Sequence, residues 1–262
     1  MSKQVSKAFG ILFLLLELAI IPKAIELMLH QHFSDLSPLS IITLSMTFGS
    51  IALCILMSYS SMSEHDSYPL HTFLFELMVF MCCLAPMTDL ITKMLDSSEM
   101  PRLNMLVNTV FYLIGISIAY VIMLYEFLII GTDKNPILKK IRKWVSILMI
   151  LDVLATLLNV RFGYFFIINE NGMYQSSPTF WIAYIVPALI IAATAVTAAR
   201  KMRPGRQQRA FLTFWVFAMA ASLLQSLHEE LSVQYTGYTL SLIVIYMNIQ
   251  SELDMFCLKS SD

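Results

Sequence analysis

Eight apolar stretches run along the chain, separated by short polar connections that are alternately rich and poor in Lys and Arg. Each stretch has about 16 to 28 residues, and roughly 20 residues of helix are needed to cross the hydrocarbon layer of a bilayer. Because lipid offers the backbone no hydrogen-bond partners, such segments must be helices. The pattern therefore predicts an all-α, polytopic transmembrane bundle. The predicted spans are 8–29, 38–60, 69–94, 104–131, 143–168, 179–200, 208–227 and 236–251.

The first span is the weakest of the eight. Glu17, Pro22, Lys23 and Glu26 interrupt it, and each charge costs about 2.5–3.5 kcal/mol at the centre of a spanning helix. It is either a kinked crossing that is added in front of seven spans at 38–251, or an anchor in the interface. In the second case seven spans remain, and the N-terminus moves to the outer side.

Composition supports membrane insertion. The chain is 58% hydrophobic and 13% charged, with a mean hydropathy of +0.71, which leaves too little polar surface to coat a soluble globule of this size. The net charge of −1 argues neither for nor against nucleic acid, and we expect no nucleic acid among the partners.

The placement of the basic residues predicts the orientation. Lys3 and Lys7 precede the first span, and two further clusters fall at 134–143 and 200–209. Positively charged connections stay in the cytoplasm. We therefore expect a multi-pass protein of the cytoplasmic (inner) membrane with both termini in the cytoplasm.

Cysteines and small residues are predicted to serve packing. Cys54, Cys82, Cys83 and Cys257 have no pair in an outer loop and are expected to be small apolar packing residues. No His or Cys spacing fits a metal site, so no metal and no cofactor is expected. Close helix contacts are expected around two groups of small residues. These are Ser45 and Gly49, and Gly115, Ser117 and Ala119.

The longest outer connection, 168–178, contains Asn171-Gly172. This dipeptide tolerates positive φ in a tight turn. A small hairpin or an ordered loop is predicted there, on the outer face.

Ionisable and amide side chains inside spans are costly, so each is a candidate functional residue. In the predicted orientation most of them fall in the outer half of the bundle, where they could line a cavity for a small ligand or ion. The candidates are Asp89, Lys93, Asn108, Asp152, Asn159, Arg161, Gln225, His228, Glu229 and Glu230.

Asp89, Asp152 and Arg161 are the first choices among these candidates. The alternative is that the polar residues only hold helices together, with Asp89 and Lys93 forming a local pair four residues apart. Glu76 and Glu126 fall toward the cytoplasmic ends of their spans. There we expect them to reach the headgroups at little cost.

The last helix is predicted to continue beyond the membrane. Ile245, Ile249, Leu253 and Phe256 keep a spacing of three or four residues past the apolar run, which is typical of a seam for a partner helix. We expect 1–251 to form the bundle and 252–262 to begin a cytoplasmic signalling helix. A tail resting on the lipid interface is the alternative.

No catalytic motif is present. The sequence has no Gly-x-Ser-x-Gly, no His-Glu-x-x-His and no phosphate-binding glycine loop, so the chain is not expected to be an enzyme.

Two segments resemble a known family. The first is Phe165-Phe166-Ile167-Ile168-Asn169-Glu170-Asn171-Gly172-Met173-Tyr174. The second is Leu242-Ile243-Val244-Ile245-Tyr246-Met247-Asn248-Ile249-Gln250, which leads to Leu253-Asp254. Both segments are similar to parts of the multi-pass input modules of clostridial-type diguanylate cyclases. Related seven-span regions precede histidine kinases. The resemblance covers about 38–262. Gln175-Ser176 stands where the family often has Arg-Gly, which puts a shared ligand contact there in doubt. No Gly-Gly-Asp-Glu-Phe-like segment occurs, so the resemblance implies a sensor half without its output domain.

These observations predict a signal-input module that detects an extracellular or membrane-borne stimulus and relays it through its last helix. The expected partners are the lipid bilayer, an unknown small ligand, a cytoplasmic output domain such as a diguanylate cyclase, and a second copy of the chain in a homodimer. One alternative is a small secondary transporter, although transporters usually contain paired repeats and the halves 1–131 and 132–262 share none. The other alternative is a scaffold or accessory subunit that binds no ligand.

Overall fold

The computed structural model describes residues 2–30, 38–61, 69–96, 99–131, 135–202, 205–227 and 234–260. Within them lie eight α-helices, one two-stranded sheet and one 3-10 helix. The helices are α1 Lys3–His30, α2 Pro38–Ser61, α3 Pro69–Leu95, α4 Pro101–Ile130, α5 Pro136–Phe162, α6 Ile185–Lys201, α7 Arg206–Leu227 and α8 Gln234–Ser260.

Five helical segments of the described chain are long and apolar enough to cross a membrane. They correspond to α2, α3, α4, α5 and α6 together with the 3-10 turn Phe180–Tyr184 that precedes it. The prediction of an all-α helical membrane bundle is confirmed at this level. Helices α1, α7 and α8 are not in this set.

The predicted fifth span, 143–168, is wrong at its C-terminal end, and the helix that contains its start begins earlier in the chain. Helix α5 begins at Pro136, because the Asn135 side chain accepts hydrogen bonds from the backbone N–H groups of Ile137 and Leu138. It ends at Phe162, because Gly163 adopts a left-handed conformation with φ 63°. Lys139, Lys140, Arg142 and Lys143 therefore lie within the helix and not in a connection. The last six residues of the predicted span, 163–168, leave the helix, and residues 166–168 form a β-strand.

The chain divides into two compact units. Unit 1 comprises residues 1–83 and 195–262, and unit 2 comprises residues 84–194.

In unit 1, side-chain contacts establish the directions of the helices. Helix α1 follows α3 in the same direction, since Ser6 donates to the carbonyl of Pro69 at 2.6 Å and the rings of Phe13 and Phe80 stack with centroids 5.0 Å apart. Ser50 of α2 donates to Thr236 of α8 at 3.1 Å, and Cys54 lies 3.8 Å from Thr239. Helices α2 and α8 therefore run parallel.

Helix α7 packs antiparallel to α8 at very short range. Ser241 donates to the carbonyl of Phe214, and a Cβ placed on Gly237 would lie 2.4 Å from the Cβ of Ala221 and 3.1 Å from the carbonyl oxygen of Phe217. A close contact was also expected at Gly49, and that expectation is wrong for the described part of the chain, where a Cβ on Gly49 would meet no atom within 4 Å.

The cysteines of unit 1 agree with the packing prediction. Cys54, Cys82 and Cys83 are buried and free. The side chain of Cys257 lies outside the described residues.

In unit 2, α4 and α5 form an antiparallel pair that α6 covers at one end. The register is set by Tyr120 and Ser146, whose hydroxyl oxygens are 2.8 Å apart. The core near the α4–α5 connection consists of Ala119, Met123, Phe127, Leu138, Val145 and Ile190. The opposite end of the pair holds the sheet.

Replacing Gly237 by Ala is expected to destabilise the α7–α8 contact. The new methyl group would overlap Ala221, and overpacking of this kind costs about 1–3 kcal/mol. Thermal unfolding of the purified protein in detergent should show a lower Tm. Gly49→Ala is the matched control, because it adds the same methyl group in open space and removes a helix-destabilising glycine. An equal loss of stability in both variants would contradict the close packing at Gly237.

Candidate functional site

The connection between α5 and α6 folds into a β-hairpin. Strand β1, Phe166–Ile168, pairs antiparallel with β2, Tyr174–Ser176. The turn contains Gly172 at φ 75°, and the Asn169 side chain accepts a hydrogen bond from the Met173 N–H. The hairpin predicted from Asn171-Gly172 is confirmed.

Asn159 fixes the base of the hairpin to α5. Its side chain is fully buried, accepts hydrogen bonds from the N–H groups of Phe165 and Phe166 at 2.6 and 3.3 Å, and donates to the carbonyl of Phe166 at 3.1 Å. One amide thus satisfies three backbone groups that leave the helix. Asn159 therefore holds the first strand of the hairpin against the end of α5.

Asn104 fixes the tip of the hairpin to α4. Its side chain is fully buried and donates to the carbonyl of Gly172 at 2.8 Å and to that of Leu95 at 3.3 Å. Asn108 donates in turn to the side-chain oxygen of Asn104 at 2.7 Å and so orients it. The predicted site residue Asn108 therefore acts through Asn104, which the sequence analysis did not select.

A third contact comes from the residue that follows α3. The side chain of Asp96 accepts a hydrogen bond from the N–H of Tyr174 at 2.7 Å. Strand β2 is thereby held by a charge-assisted bond.

An aromatic stack completes the attachment. The ring of Phe166 lies between those of Tyr112 and Tyr174, with centroids 5.2 and 5.5 Å away, and the two tyrosine hydroxyl oxygens are 2.9 Å apart. Burial raises the pKa of the Tyr174 hydroxyl above its ordinary value. The hydroxyl is therefore neutral at physiological pH, and the hairpin is closed on α4 by both packing and hydrogen bonding.

The other predicted site residues of unit 2 do not join this network. Lys93 and Asp89 form the predicted local ion pair at 3.3 Å on α3. Arg161 is exposed near the end of α5. Asp152 is buried, and one of its carboxyl oxygens has no hydrogen-bond partner among the described residues.

Asp152 lies further along α5 from the hairpin than the side chains that hold the hairpin in place. The Tyr120–Ser146 contact places residue 152 level with residue 114 of α4, and Asn159 is seven residues further along α5, about 10 Å at 1.5 Å per residue. Thr156, one turn from Asp152, is also buried and without a partner among the described residues. The carboxyl group of Asp152 is therefore separate from the amide side chains of Asn104, Asn108 and Asn159.

Four further candidates fall on parts of the chain that are not described. His228, Glu229 and Glu230 lie outside the described residues, as does the side chain of Gln225. Of the predicted relay residues, Ile245 is buried in α8. The side chains of Ile249, Leu253 and Phe256 lie outside the described residues.

The expectation that Glu76 and Glu126 reach the headgroups is wrong. Both side chains are almost fully buried inside the protein. Neither oxygen of Glu126 has a hydrogen-bond partner within the described part of the chain. Glu17 on α1, which counted only as an interruption of an apolar run, is also fully buried.

No protein-family model, no curated protein and no solved structure matches this chain. The resemblance to diguanylate cyclase input modules stays a prediction from the two short segments quoted above.

Removal of the Asn159 side chain is expected to release the hairpin. Asn159→Ala leaves three buried backbone groups without this partner, and each such loss costs about 1–3 kcal/mol when no replacement is found. Backbone amide exchange in 163–177 should become faster, and the Tm should fall.

Leu158→Ala is the control, because Leu158 precedes Asn159 on α5 but is exposed. Unchanged amide exchange in the Asn159 variant would show that the hairpin does not depend on this amide.

Proposed function

We propose that the chain is a signal-input module of a bacterial cytoplasmic membrane, and that α8 is its output element. The observation that carries this proposal is the continuity of α8 from Gln234 to Ser260. Its first half is buried against α2 and α7 through Tyr238, Leu242 and Ile245. Its last turns contain Glu252, Asp254 and Lys259, as suits a helix that leaves a bilayer.

The helix directions in unit 1 support eight crossings with both termini on one side. Helix α1 follows α3 from Ser6 to Phe13, as expected for a crossing helix and not for one lying in the interface. Ser58 of α2 donates to Glu17 of α1. The later residue Ser61 donates to Glu76, which lies level with an earlier part of α1, so α2 runs antiparallel to α1. Because α2 runs parallel to α8, the beginning of α1 and the end of α8 lie at the same end of unit 1. The exposed residues Lys3, Lys7 and Arg209 belong to that end, which the positive-inside rule assigns to the cytoplasm.

The exposed face of α5 supports a membrane placement of unit 2. Trp144 is exposed beside the basic first turns of the helix, and Phe162 and Tyr164 form an exposed stacked pair at its other end. From residue 144 to residue 162 the helix rises about 27 Å, close to the roughly 30 Å of hydrocarbon. The exposed side chains in between include Ile147, Ile150, Leu151, Leu154, Leu157, Leu158 and Val160. Aromatic residues at both ends of an apolar face are typical of the two interfaces.

Depth-dependent fluorescence quenching tests this placement. In vesicles containing lipids brominated at shallow or deep positions, variants that retain only Trp144 or only Trp181 are expected to be quenched best by the shallow label. Leu154→Trp in a background lacking the native tryptophans is the control and should be quenched best by the deep label. Preferential deep quenching of Trp144 would refute the proposed crossing of α5.

The proposed mechanism requires two arrangements of the bundle, since a stimulus shifts an equilibrium only by binding one state better than the other. The hairpin end of unit 2, on the opposite end of the α4–α5 pair from the basic residues, is the proposed stimulus-facing surface. Helices α3 and α6 each continue from one unit into the other. In a homodimer, α8 would present its seam to the second copy and to a cytoplasmic output domain such as a diguanylate cyclase.

The relay through α8 can be tested without knowing the stimulus, by changing the rotation of the output domain about the helix axis. The chain is fused after Ser260 to a dimerisation-dependent diguanylate cyclase domain, and one to seven alanines are inserted after Ser251. Each residue rotates the output by about 100°, so cyclic di-GMP synthesis should vary with a period of about 3.6 residues and recover near seven. Flexible Gly-Ser insertions of equal length are the control. Output that is insensitive to phase would argue against a rigid α8 relay.

A small cation-coupled transporter is the second candidate, and the buried carboxyls Glu17, Glu76 and Glu126 favour it. Intramembrane acids commonly mark ion pathways. Solute or ion flux in reconstituted vesicles would place the transporter ahead of the sensor.

A further inference from the structure

Helices α1, α2 and α3 of unit 1 bring two glutamates into one hydrogen-bonded network. Ser58 donates to Glu17 at 3.0 Å, and Ser61 donates to Glu76 at 2.9 Å. The Ser61 hydroxyl also lies 3.0 Å from the carbonyl oxygen of Ser58. We call Glu17, Ser58, Ser61 and Glu76 the carboxyl network.

The carboxyl network is sealed from solvent. Its four side chains are all 0–1% exposed. Phe13 precedes Glu17 by one turn, Phe80 follows Glu76 by one turn, and their rings stack on each other. The carboxyl groups therefore have no access to bulk water as a hydrogen-bonding partner.

The two carboxyls lie at neighbouring levels of the bundle. Their donors Ser58 and Ser61 are three residues apart on α2, a rise of about 4.5 Å. Glu17 and Glu76 are close enough to repel each other when both are ionised, and the thiols of Cys54 on α2 and Cys83 on α3 are further neighbours of Glu17. None of these described neighbours brings a positive charge.

The carboxyl group of Glu17 is only partly hydrogen-bonded within the described residues. One of its oxygens accepts from Ser58, while the other, Oε2, has no hydrogen-bond partner among the described residues although the side chain is fully buried. Two carboxylates in a site of low dielectric cannot both stay ionised without a compensating positive charge. A buried carboxyl oxygen of this kind can take up a proton or contact a small cation.

We propose that the carboxyl network is a binding site for one monovalent cation, a proton or a sodium ion. Its donors are oxygen atoms only, as hard cations require. Helix α2 carries two of its residues and also contacts α8 through Ser50 and Cys54. If the proposed relay role of α8 is right, occupancy of the site would act on the helix that packs against the relay.

Dicyclohexylcarbodiimide is the probe, because this apolar reagent modifies protonated carboxyl groups and the adduct is located by mass spectrometry. The full chain in membrane vesicles is treated at several pH values, with sodium chloride or choline chloride. We expect modification of Glu17 that decreases severalfold as pH rises. If sodium is the ligand, sodium but not choline also protects Glu17 severalfold at constant pH, whereas a proton site shows the pH dependence alone.

Two variants relate the result to the network. Glu76→Gln removes one of the two negative charges, so it is expected to change the pH or sodium dependence of Glu17 modification. Glu126→Gln is the matched control, since it neutralises a buried carboxyl of unit 2 and should leave that dependence unchanged. Ser58→Ala, which keeps both carboxyls, replaces Glu76→Gln if the latter does not fold.

The proposal is overturned if Glu17 is not modified, or if its modification is the same at all pH values with and without sodium. It is also overturned if the modification is identical in the wild type and in the folded network variant. The assay needs no output domain, so a negative result here is separate from a failure of the α8 fusion.

Discussion

A protein interior offers no water as a hydrogen-bond partner, so each polar group that the bundle buries must be satisfied by the protein or by something that the protein binds. Non-helical backbone is the most demanding case, because its N–H and carbonyl groups lack the helical ladder. The hairpin between α5 and α6 meets this demand with three side chains. Asn159, Asn104 and Asp96 bond the backbone of residues 165, 166, 172 and 174, and the aromatic stack around Phe166 excludes water. The hairpin depends on these partners.

The sequence was sufficient for the helices and for the turn of the hairpin. Apolar runs of membrane-spanning length predict helices because a helix satisfies its own backbone hydrogen bonds there. Asn171-Gly172 predicts a tight turn because this dipeptide tolerates positive φ, and Gly172 adopts it. The error at α5 arose from reading the basic residues 139–143 as a connection. Asn135-Pro136 is a helix start and Gly163 a helix stop, and those local signals, given more weight than charge, would have placed both ends.

The candidate site was harder to predict, because position in a span gives depth but not the direction in which a side chain faces. Glu76 was placed near a headgroup region by depth alone. In the structure it is buried on α3, and Val79 and Cys83 on the same side of the helix are buried as well. Conversely, Arg161 was assigned to a cavity and is exposed. The partner of Glu76, Ser61, lies 15 residues away on another helix, and no pattern within one helix reveals such a pair.

The two groups of buried polar residues differ in a way that bears on signalling. The amides around the hairpin are satisfied within the protein, and a fully satisfied network favours one rigid arrangement. In the carboxyl network, by contrast, one oxygen of Glu17 has no hydrogen-bond partner among the described residues, and the proposed cation would supply it. An uncompensated buried charge costs about 3–5 kcal/mol, whereas about 5.5 kcal/mol converts a 1:99 population into 99:1. Gain or loss of a single cation is therefore of the right size to move a bundle between two arrangements.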